Sequence, residues 1–269
     1  MNFSVLISVY YKENPDFLKL ALESIWDNQT LKPSEIVLIK DGPLTEQLDA
    51  VIEEFKQDKP VKIVVLEKNV GLGSALAIGV EQCSNELVCR MDSDDIADQH
   101  RFEKQIGYLN FHPEVALLSA NIAEFNDTPD SIVSHRKVPT SYDDILSFAK
   151  KRNPMNHMAV VFKKSAVLDA GNYQPFQGYE DYFLWVRILA KGYRAANLNE
   201  NLVLARTGNN MIARRQGLKF FKEELRLQKE FMKLNFIGCP EYVRNILLRA
   251  LPRLMPIVAL KLIYKNLHK

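Results

Sequence analysis

The sequence predicts an α/β fold: a Rossmann-like, mostly parallel central sheet flanked by helices, with a C-terminal helical extension. The first observation is that short apolar, β-branched segments alternate with helical segments through the first 91 residues. The second is that the pattern is helical from residue 216 onward. Strand–helix–strand connections within one sheet are right-handed and make the two strands parallel. Ligands of such sheets bind beyond the carboxyl ends of the strands.

Composition and charge are those of an ordinary globular protein. Of 269 residues, 47% are apolar and 25% are charged, and 35 basic against 33 acidic residues leave a net charge of +2. This balance gives no reason to expect a nucleic-acid partner. The three cysteines lack metal-ligand spacing and are expected to be free thiols in a reducing compartment. Because neither a signal peptide nor an apolar run of 18 residues is found, we expect a cytoplasmic protein.

The N-terminal part carries four predicted strands, at residues 3–10, 35–40, 62–67 and 86–91. Their apolar character indicates burial on both faces. Helices are predicted between them, starting at Asn14 and covering 45–57 and 71–82.

After residue 112 the pattern changes. Strands are predicted at 115–124, 159–162 and 202–205. Helices are predicted at 165–170, 181–191, 216–234 and 241–267, the last interrupted by Pro252 and Pro256.

The sharpest chemical signal is the acidic motif Asp92-Ser93-Asp94-Asp95, directly after the fourth strand. Three carboxylates in four positions repel one another unless a cation lies among them. Mg²⁺ and Mn²⁺ take oxygen ligands and are commonly shared with substrate phosphates, so the motif favours a metal–diphosphate site. The alternative is a solvated acidic turn that caps the next helix.

Two further loops follow strands. Asp41 could accept hydrogen bonds from a base or ribose, although Asp41-Gly42-Pro43 is also a good turn by itself. The glycines of the segment 69–73 could let the backbone approach a ligand at a helix start. That segment follows the third strand and is incomplete as a dinucleotide fingerprint, and no phosphate-binding P-loop motif is found.

The second half offers weaker signals. Glu180 and Asp181 open an apolar helix, where one carboxylate could act as a general base, or both could simply reflect the preference for acids at helix starts. His157 could line a pocket, but a satisfied loop residue is the simpler interpretation. The basic residues Arg206, Arg214 and Arg215 could close over phosphates or lie in a solvated loop.

Taken together, the order and spacing of these segments resemble the family 2 glycosyltransferases with the GT-A fold. The resemblance covers roughly residues 3 to 215, and it is nearest to the bacterial exopolysaccharide and O-antigen branch of the amylovoran-synthesis type. The segments that carry it are SVLISVYYKENPDFLKLALESI, EIVLIKDGP, NVGLGSALAIG, RMDSDDIADQHRFEKQ and GYEDYFLWVRI.

The resemblance implies an inverting, metal-dependent hexosyltransferase that uses Mn²⁺ or Mg²⁺ and a nucleotide-diphosphate sugar, usually a UDP-sugar. It implies a glycan or lipid-linked acceptor, as in cell-surface polysaccharide biosynthesis. The implied nucleotide-sugar contacts are Ser8, Tyr10, Lys12, Asp41, Asn69, Gly71, Asp92 and Ser93, with the metal at Asp92 and Asp94. The implied base is Asp181; Glu180 and Trp185 shape the acceptor side, and Arg206, Arg214 and Arg215 are candidate diphosphate contacts.

The resemblance also implies a domain organisation. Residues 1–215 would form the catalytic domain, with a nucleotide-sugar half at about 1–112 and an acceptor half at about 113–215, followed by the extension 216–269. Two departures are visible: Arg206 is followed by Thr207 and Gly208, where many relatives have an Arg-x-His arrangement, and the usual proline before Arg101 is missing.

Two rival functions remain at this stage. A sugar nucleotidyltransferase also uses an acidic metal site, but it usually carries a Gly-rich basic loop after the first strand, where this chain has Tyr10-Tyr11-Lys12-Glu13. A membrane-surface scaffold would use residues 242–269, which carry six basic residues, no acid and many leucines. The same segment makes peripheral contact with the cytoplasmic face of the inner membrane an expectation for the enzyme, with packing on the domain or in a homo-oligomer as the alternative.

Overall fold

The computed structural model describes residues 1–207 and 217–254. Its strands are β1 (Phe3–Val9), β2 (Glu35–Lys40), β3 (Val61–Val65), β4 (Leu87–Met91), β5 (Ile96–Ala97), β6 (Val115–Phe125), β7 (Ile132–Arg136), β8 (Val161–Lys163) and β9 (Arg194–Arg206). Its helices are α1 (Pro15–Ile25), α2 (Glu46–Phe55), α3 (Leu72–Gln82), α4 (Arg101–Phe111), α5 (Tyr142–Ala149), α6 (Lys164–Asp169), α7 (Glu180–Ala190), α8 (Leu218–Lys233) and α9 (Cys239–Asn245). Single turns cover His157–Ala159, Ile246–Ala250 and Leu251–Leu254.

Within the described residues the strands form one sheet in the order β3-β2-β1-β4-β8-β6-β9-β5, with β7 on β6. The pairs among β3, β2, β1 and β4 are parallel, whereas β8 is antiparallel to both β4 and β6. Strand order reverses around β1, because β2 lies on one side of it and β4 on the other. A crevice for a ligand therefore lies at the carboxyl ends of β1 and β4.

Both faces of the parallel part of the sheet are covered. Along β1, Val5 and Ile7 face a core with α1, α2 and α4, whereas Leu6 faces a second core with α3, α5, α6 and α7. This division follows from the alternation of side chains along a strand, and it explains why β1 reads as a continuous apolar run.

The four N-terminal strands and the helices between them are confirmed within two residues. Asn14 and Thr45 cap α1 and α2, as acceptors at helix starts do. The prediction missed β5, which lies just after the acidic motif, and, beyond residue 112, β7 and α5. All five residues of β7 are exposed, and β5 has only two residues, so neither strand leaves an apolar pattern in the sequence.

The predicted strand 202–205 is the end of the much longer β9, which is parallel to β6. Its middle residues Asn199, Glu200 and Asn201 are exposed, and the pairing with β6 shifts register beside them. Because these polar residues interrupt the apolar pattern, the sequence did not predict the first half of the strand.

The helical C-terminal part packs on α7. Leu227 and Phe231 of α8 lie against Tyr182, Phe183 and Val186 of α7 in a separate apolar core. Of the predicted tail 241–267, the described part is helical from Cys239 to Leu254. Cys83 and Cys89 are free and buried, and burial raises the pKa of each thiol to about 12; Cys239 is free and exposed.

Candidate active site

A cavity of about 820 Å³ opens at the carboxyl ends of β1, β2 and β4. Pairing of Ile7 with Met91 places the residues after β1 beside the acidic motif, and β2 runs along the other side of β1. The cavity is lined by ten of the predicted site residues: Ser8, Tyr10, Lys12, Asp41, Asn69, Gly71, Asp92, Ser93, Asp94 and Arg206.

The acidic motif rests on two buried arginines. Arg90, on β4, donates hydrogen bonds to both carboxylate oxygens of Asp92, with Nη1 to Oδ2 at 2.6 Å. Burial lowers the pKa of Arg90, but the charge of Asp92 outweighs that effect and leaves the pKa above its ordinary value. Below it, Arg101 donates to the Arg90 carbonyl at 2.6 Å, and burial lowers the pKa of Arg101 to about 10. Asp92 is thus fixed and largely neutralised.

The two following carboxylates are less well compensated. Burial, together with the charges of Asp92 and Glu13, raises the pKa of Asp94 to about 7. Asp95 is buried, and burial with the charges of Asp92 and Asp94 raises its pKa as well. Its Oδ1 accepts the Arg206 backbone N–H at 2.7 Å, while its Oδ2 has no hydrogen-bond partner within the described part of the chain.

This excess of buried negative charge fits a divalent cation. No cluster of three or more potential protein ligands is found among residues 1–207 and 217–254. A cation here would therefore depend on one or two carboxylates, with Asp94 as the main candidate, and on water or substrate phosphate for the rest.

Arg206 lies at the edge of the acidic motif. Its guanidinium stacks on Phe17 and Phe125, at 3.6 and 4.5 Å from the ring centroids. Its Nε also donates to the Asp94 carbonyl at 3.2 Å. A positive charge is thus held beside Asp94 inside the cavity. The other two predicted basic contacts, Arg214 and Arg215, lie outside the described residues.

Asp41 braces the loop that the sequence singled out. Its carboxylate accepts the backbone N–H groups of Val70 and Gly71, at 2.7 and 3.2 Å, and the side-chain amide of Asn69 at 3.1 Å. Gly42 has φ +87°, and a Cβ there would lie 2.6 Å from the Asn69 nitrogen. Asp41, Asn69 and Gly71 are therefore one unit that shapes the cavity wall.

Glu180 and Asp181 begin α7, but they are not among the residues that line the cavity. Burial raises the pKa of Glu180. Its side chain lies so close to Gly73 that a Cβ on the glycine would be 2.7 Å from Glu180 Cγ. Asp181 Oδ2 accepts a hydrogen bond from Asn153 Nδ2 at 2.6 Å. The Asn153 carbonyl in turn accepts Arg136, which lines the cavity.

Trp185, which is expected to help shape the acceptor side, is not among the residues that line the cavity. Its side chain points into the core, where it is fully buried against Phe162 and Tyr173. His157 is confirmed as a satisfied residue, since its Nε2 lies 2.9 Å from Tyr173 Oη. Burial and the nearby Arg90 lower the pKa of His157 well below its usual value.

Sequence reasoning missed several residues of this site. Glu13 lines the cavity and accepts the Ser93 hydroxyl at 2.5 Å; its place after β1 was a usable signal. Arg90 was signalled by its position two residues before Asp92. Arg136 and Asn153 come from an unpredicted strand and a loop, and nothing in the local sequence marks them.

Comparison with known proteins agrees with this geometry. The profile described as "Glycosyl transferase family 2" matches residues 4–167. The chain is 43% identical over 267 residues to the amylovoran biosynthesis glycosyltransferase AmsE of Erwinia amylovora, with 99% of each chain covered. The chain belongs to glycosyltransferase family 2.

A second relative, from Escherichia coli, is 39% identical over 98% of this chain and 95% of its own length. Its name is UDP-Gal:alpha-D-GlcNAc-diphosphoundecaprenol beta-1,3-galactosyltransferase. In structure, the chain matches S. aureus TarS 1-349 in complex with UDP-GlcNAc, with a TM-score of 0.70 and 18% identity over 94% of this chain and 72% of the other. The fold of this family 2 member is therefore GT-A. Its family transfers glycosyl groups, which is neither nucleotidyl transfer nor a scaffold role.

Proposed function

We propose that this family 2 glycosyltransferase moves a sugar, with inversion, from a UDP-sugar to a hydroxyl of a lipid-linked saccharide in cell-surface polysaccharide biosynthesis. The observation that carries the proposal is the convergence, in one cavity, of the acidic motif, the Asp41 loop and the residues after β1. The names of the two full-length relatives support the pathway and the lipid-linked acceptor.

The chain's own residues divide the work on the sugar donor. The loop braced by Asp41 and the side chains of Ser8, Tyr10 and Lys12 bind the nucleotide, while Arg206 faces the diphosphate. Asp94, with Asp92 held beside it by Arg90, provides the ligands for Mn²⁺ or Mg²⁺. Such a cation, when bound, supplies Lewis-acid stabilisation of the departing diphosphate.

Asp181 takes the proton of the acceptor hydroxyl as general base. The acceptor oxygen attacks the anomeric carbon on the face opposite the diphosphate, which leaves with the bonding electron pair. Attack from the opposite face inverts the anomeric centre in a single step, so no covalent intermediate on the enzyme is needed. Glu180, packed on Gly73, keeps the start of α7 against the nucleotide half.

The test is a product analysis. We would incubate the full chain with Mn²⁺, one of several UDP-hexoses and N-acetylglucosaminyl-diphospho-lipid, and identify the released nucleotide and the new linkage by chromatography and NMR. We expect release of UDP, a β-linked product from an α-linked sugar donor, and loss of turnover in EDTA. Release of pyrophosphate, or a retained α-linkage, would contradict the proposal.

We also propose peripheral membrane contact through residues 242–269. No helix within 1–207 and 217–254 has the length and apolar character needed to cross a bilayer. In the described part of the tail, Leu247 and Leu248 are exposed, whereas Arg249 and Arg253 pair with buried Glu224. The attraction to lipid in this part thus comes from leucines, and the basic residues expected to help are partly engaged inside the protein.

Flotation with anionic phospholipid vesicles tests this contact. We expect the full chain to co-float at low salt, and the double variant Leu247→Gln/Leu248→Gln to bind at least about tenfold more weakly, since two leucine side chains lose their burial in lipid. Leu20→Gln, at an exposed position of α1, is the matched control and should bind like the wild type. A full chain that stays unbound at low salt would refute membrane contact.

A further inference from the structure

Asn153, the donor of the hydrogen bond to Asp181, is itself held by two further hydrogen bonds. Asn153 Nδ2 donates to Asp181 Oδ2 at 2.6 Å. The Asn153 Oδ1 accepts the Met155 backbone N–H at 3.2 Å, and the Asn153 carbonyl accepts Arg136 at 3.3 Å. A flip of the amide would lose the bond from the Met155 N–H and turn an oxygen toward the Asp181 carboxylate. The amide therefore presents its NH₂ group to Asp181.

The segment that carries Asn153 is held by residues from far along the chain. Helix α5 ends at Ala149, and a helix leaves its last carbonyls without partners of its own. Here the carbonyl of Ala149 accepts Tyr182 Oη at 2.6 Å. The carbonyl of Lys150 accepts Asn245 Nδ2 at 2.9 Å, and that of Lys151 accepts Arg249 Nη1 at 2.7 Å. Three consecutive carbonyls are thus fixed just before Asn153.

One buried carboxylate connects this anchor to the start of α7. Glu224, on α8, is fully buried and accepts Arg249 Nε at 2.7 Å and Tyr179 Oη at 2.7 Å. Tyr179 directly precedes Glu180 and Asp181. The same carboxylate therefore holds both Tyr179, two residues before the base, and Arg249, which contacts the Asn153 segment.

We propose that Asn153 is a positioning residue for Asp181, and that the C-terminal segment sets its place through Asn245 and Arg249. The inference rests on the proposed role of Asp181 as the base. Asn153 holds Oδ2 of the carboxylate, so that Oδ1 is left to take the proton of the acceptor hydroxyl. The C-terminal extension then contributes to turnover without touching either substrate.

The test compares Asn153→Ala with the wild type and with Asp181→Asn. We expect kcat to fall about 10- to 100-fold in Asn153→Ala, the factor for losing one hydrogen bond to a charged group, with KM for the sugar donor unchanged. In the Asp181→Asn background, Asn153→Ala should lower kcat by less than about twofold, because residues that act as a unit are not additive. Asn110→Ala, at an exposed position of α4, is the matched control.

Three outcomes would overturn the inference: an unchanged kcat in Asn153→Ala, a change confined to KM for the sugar donor, or an equal loss in the Asp181→Asn background. Full activity of Asp181→Asn would instead remove the base assigned under the proposed function, and so the two failures are distinguishable.

The anchor from the C-terminal segment is tested separately. Arg249→Met should lower kcat, as Asn153→Ala does, with KM for the sugar donor unchanged. Arg249→Lys, which keeps a positive charge beside Glu224 and a donor for Lys151, should recover most of the loss. Equal activity of Arg249→Met and the wild type, with both folded by circular dichroism, would remove the C-terminal segment from the inference.

Discussion

The carboxylates of Asp92 and Asp181 are held in different ways in this glycosyltransferase. Asp92 is fixed by Arg90, two residues earlier on the same strand. Asp181 is fixed by Asn153, 28 residues away, and that residue depends on Asn245 and Arg249. The first site is assembled by one strand and its neighbours. The second exists only when α5, α7, α8 and the C-terminal segment have packed together.

The largest effect should come from the locally built site. Asp94→Asn removes the main candidate ligand of the divalent cation, and we expect kcat/KM to fall at least about 10³-fold, equivalent to about 4 kcal/mol of transition-state stabilisation. Binding of UDP measured by calorimetry should weaken in Mn²⁺ and stay unchanged in EDTA. Full activity would show that the cation is held elsewhere.

Removing the arginine below the motif should cost stability. Arg90→Met leaves Asp92 without its buried partner, and we expect a loss of about 3 kcal/mol in the free energy of unfolding, measured by urea denaturation. Arg90→Lys keeps the charge but not the bidentate contact, and its stability should lie between those of Arg90→Met and the wild type. If Arg90→Met is as stable as the wild type, the local support is weaker than the geometry indicates.

The base should be separable from binding of the sugar donor. In Asp181→Asn we expect kcat to fall roughly 10²-fold, about 2.7 kcal/mol, because a general base is lost. The affinity for UDP should remain that of the wild type, since Asp181 is not among the residues lining the cavity. Lost UDP affinity with an unchanged kcat would assign Asp181 to the nucleotide.

The smallest effect concerns pH and His157, whose Nε2 lies beside Tyr173 Oη. Its pKa is lowered in the folded state, so below the unfolded pKa of about 6.5 the unfolded chain binds more protons than the folded one. Stability is therefore fully present above about pH 6.5 and lost as the pH falls, by at most about 1.4 kcal/mol per pH unit from this group. In His157→Gln, the free energy of unfolding measured by denaturation should fall less steeply between pH 6.5 and 5 than in the wild type. An identical fall would assign the acid sensitivity to other groups.

The same contrast explains what the sequence could predict. The N-terminal strands and helices are encoded by local apolar periodicity, and the carboxyl ends of adjacent parallel strands meet, so the cavity residues could be grouped before the structure was known. Asn153 and Arg136 could not be found, because their roles depend on contacts between distant segments. The full burial of Trp185 could not be predicted either, because a motif gives no indication of which way a helix turns its side chains.

The distribution of the cysteines gives this protein a built-in reporter. Cys83 and Cys89 are buried, and the raised pKa of each keeps it protonated at neutral pH, whereas Cys239 is exposed at the start of α9. A thiolate is the reactive form of cysteine, so a maleimide dye should attach to Cys239 before the other two. The wild-type chain can thus be labelled beside the segment that holds Asn153. Its fluorescence can report docking of that segment without any engineered cysteine.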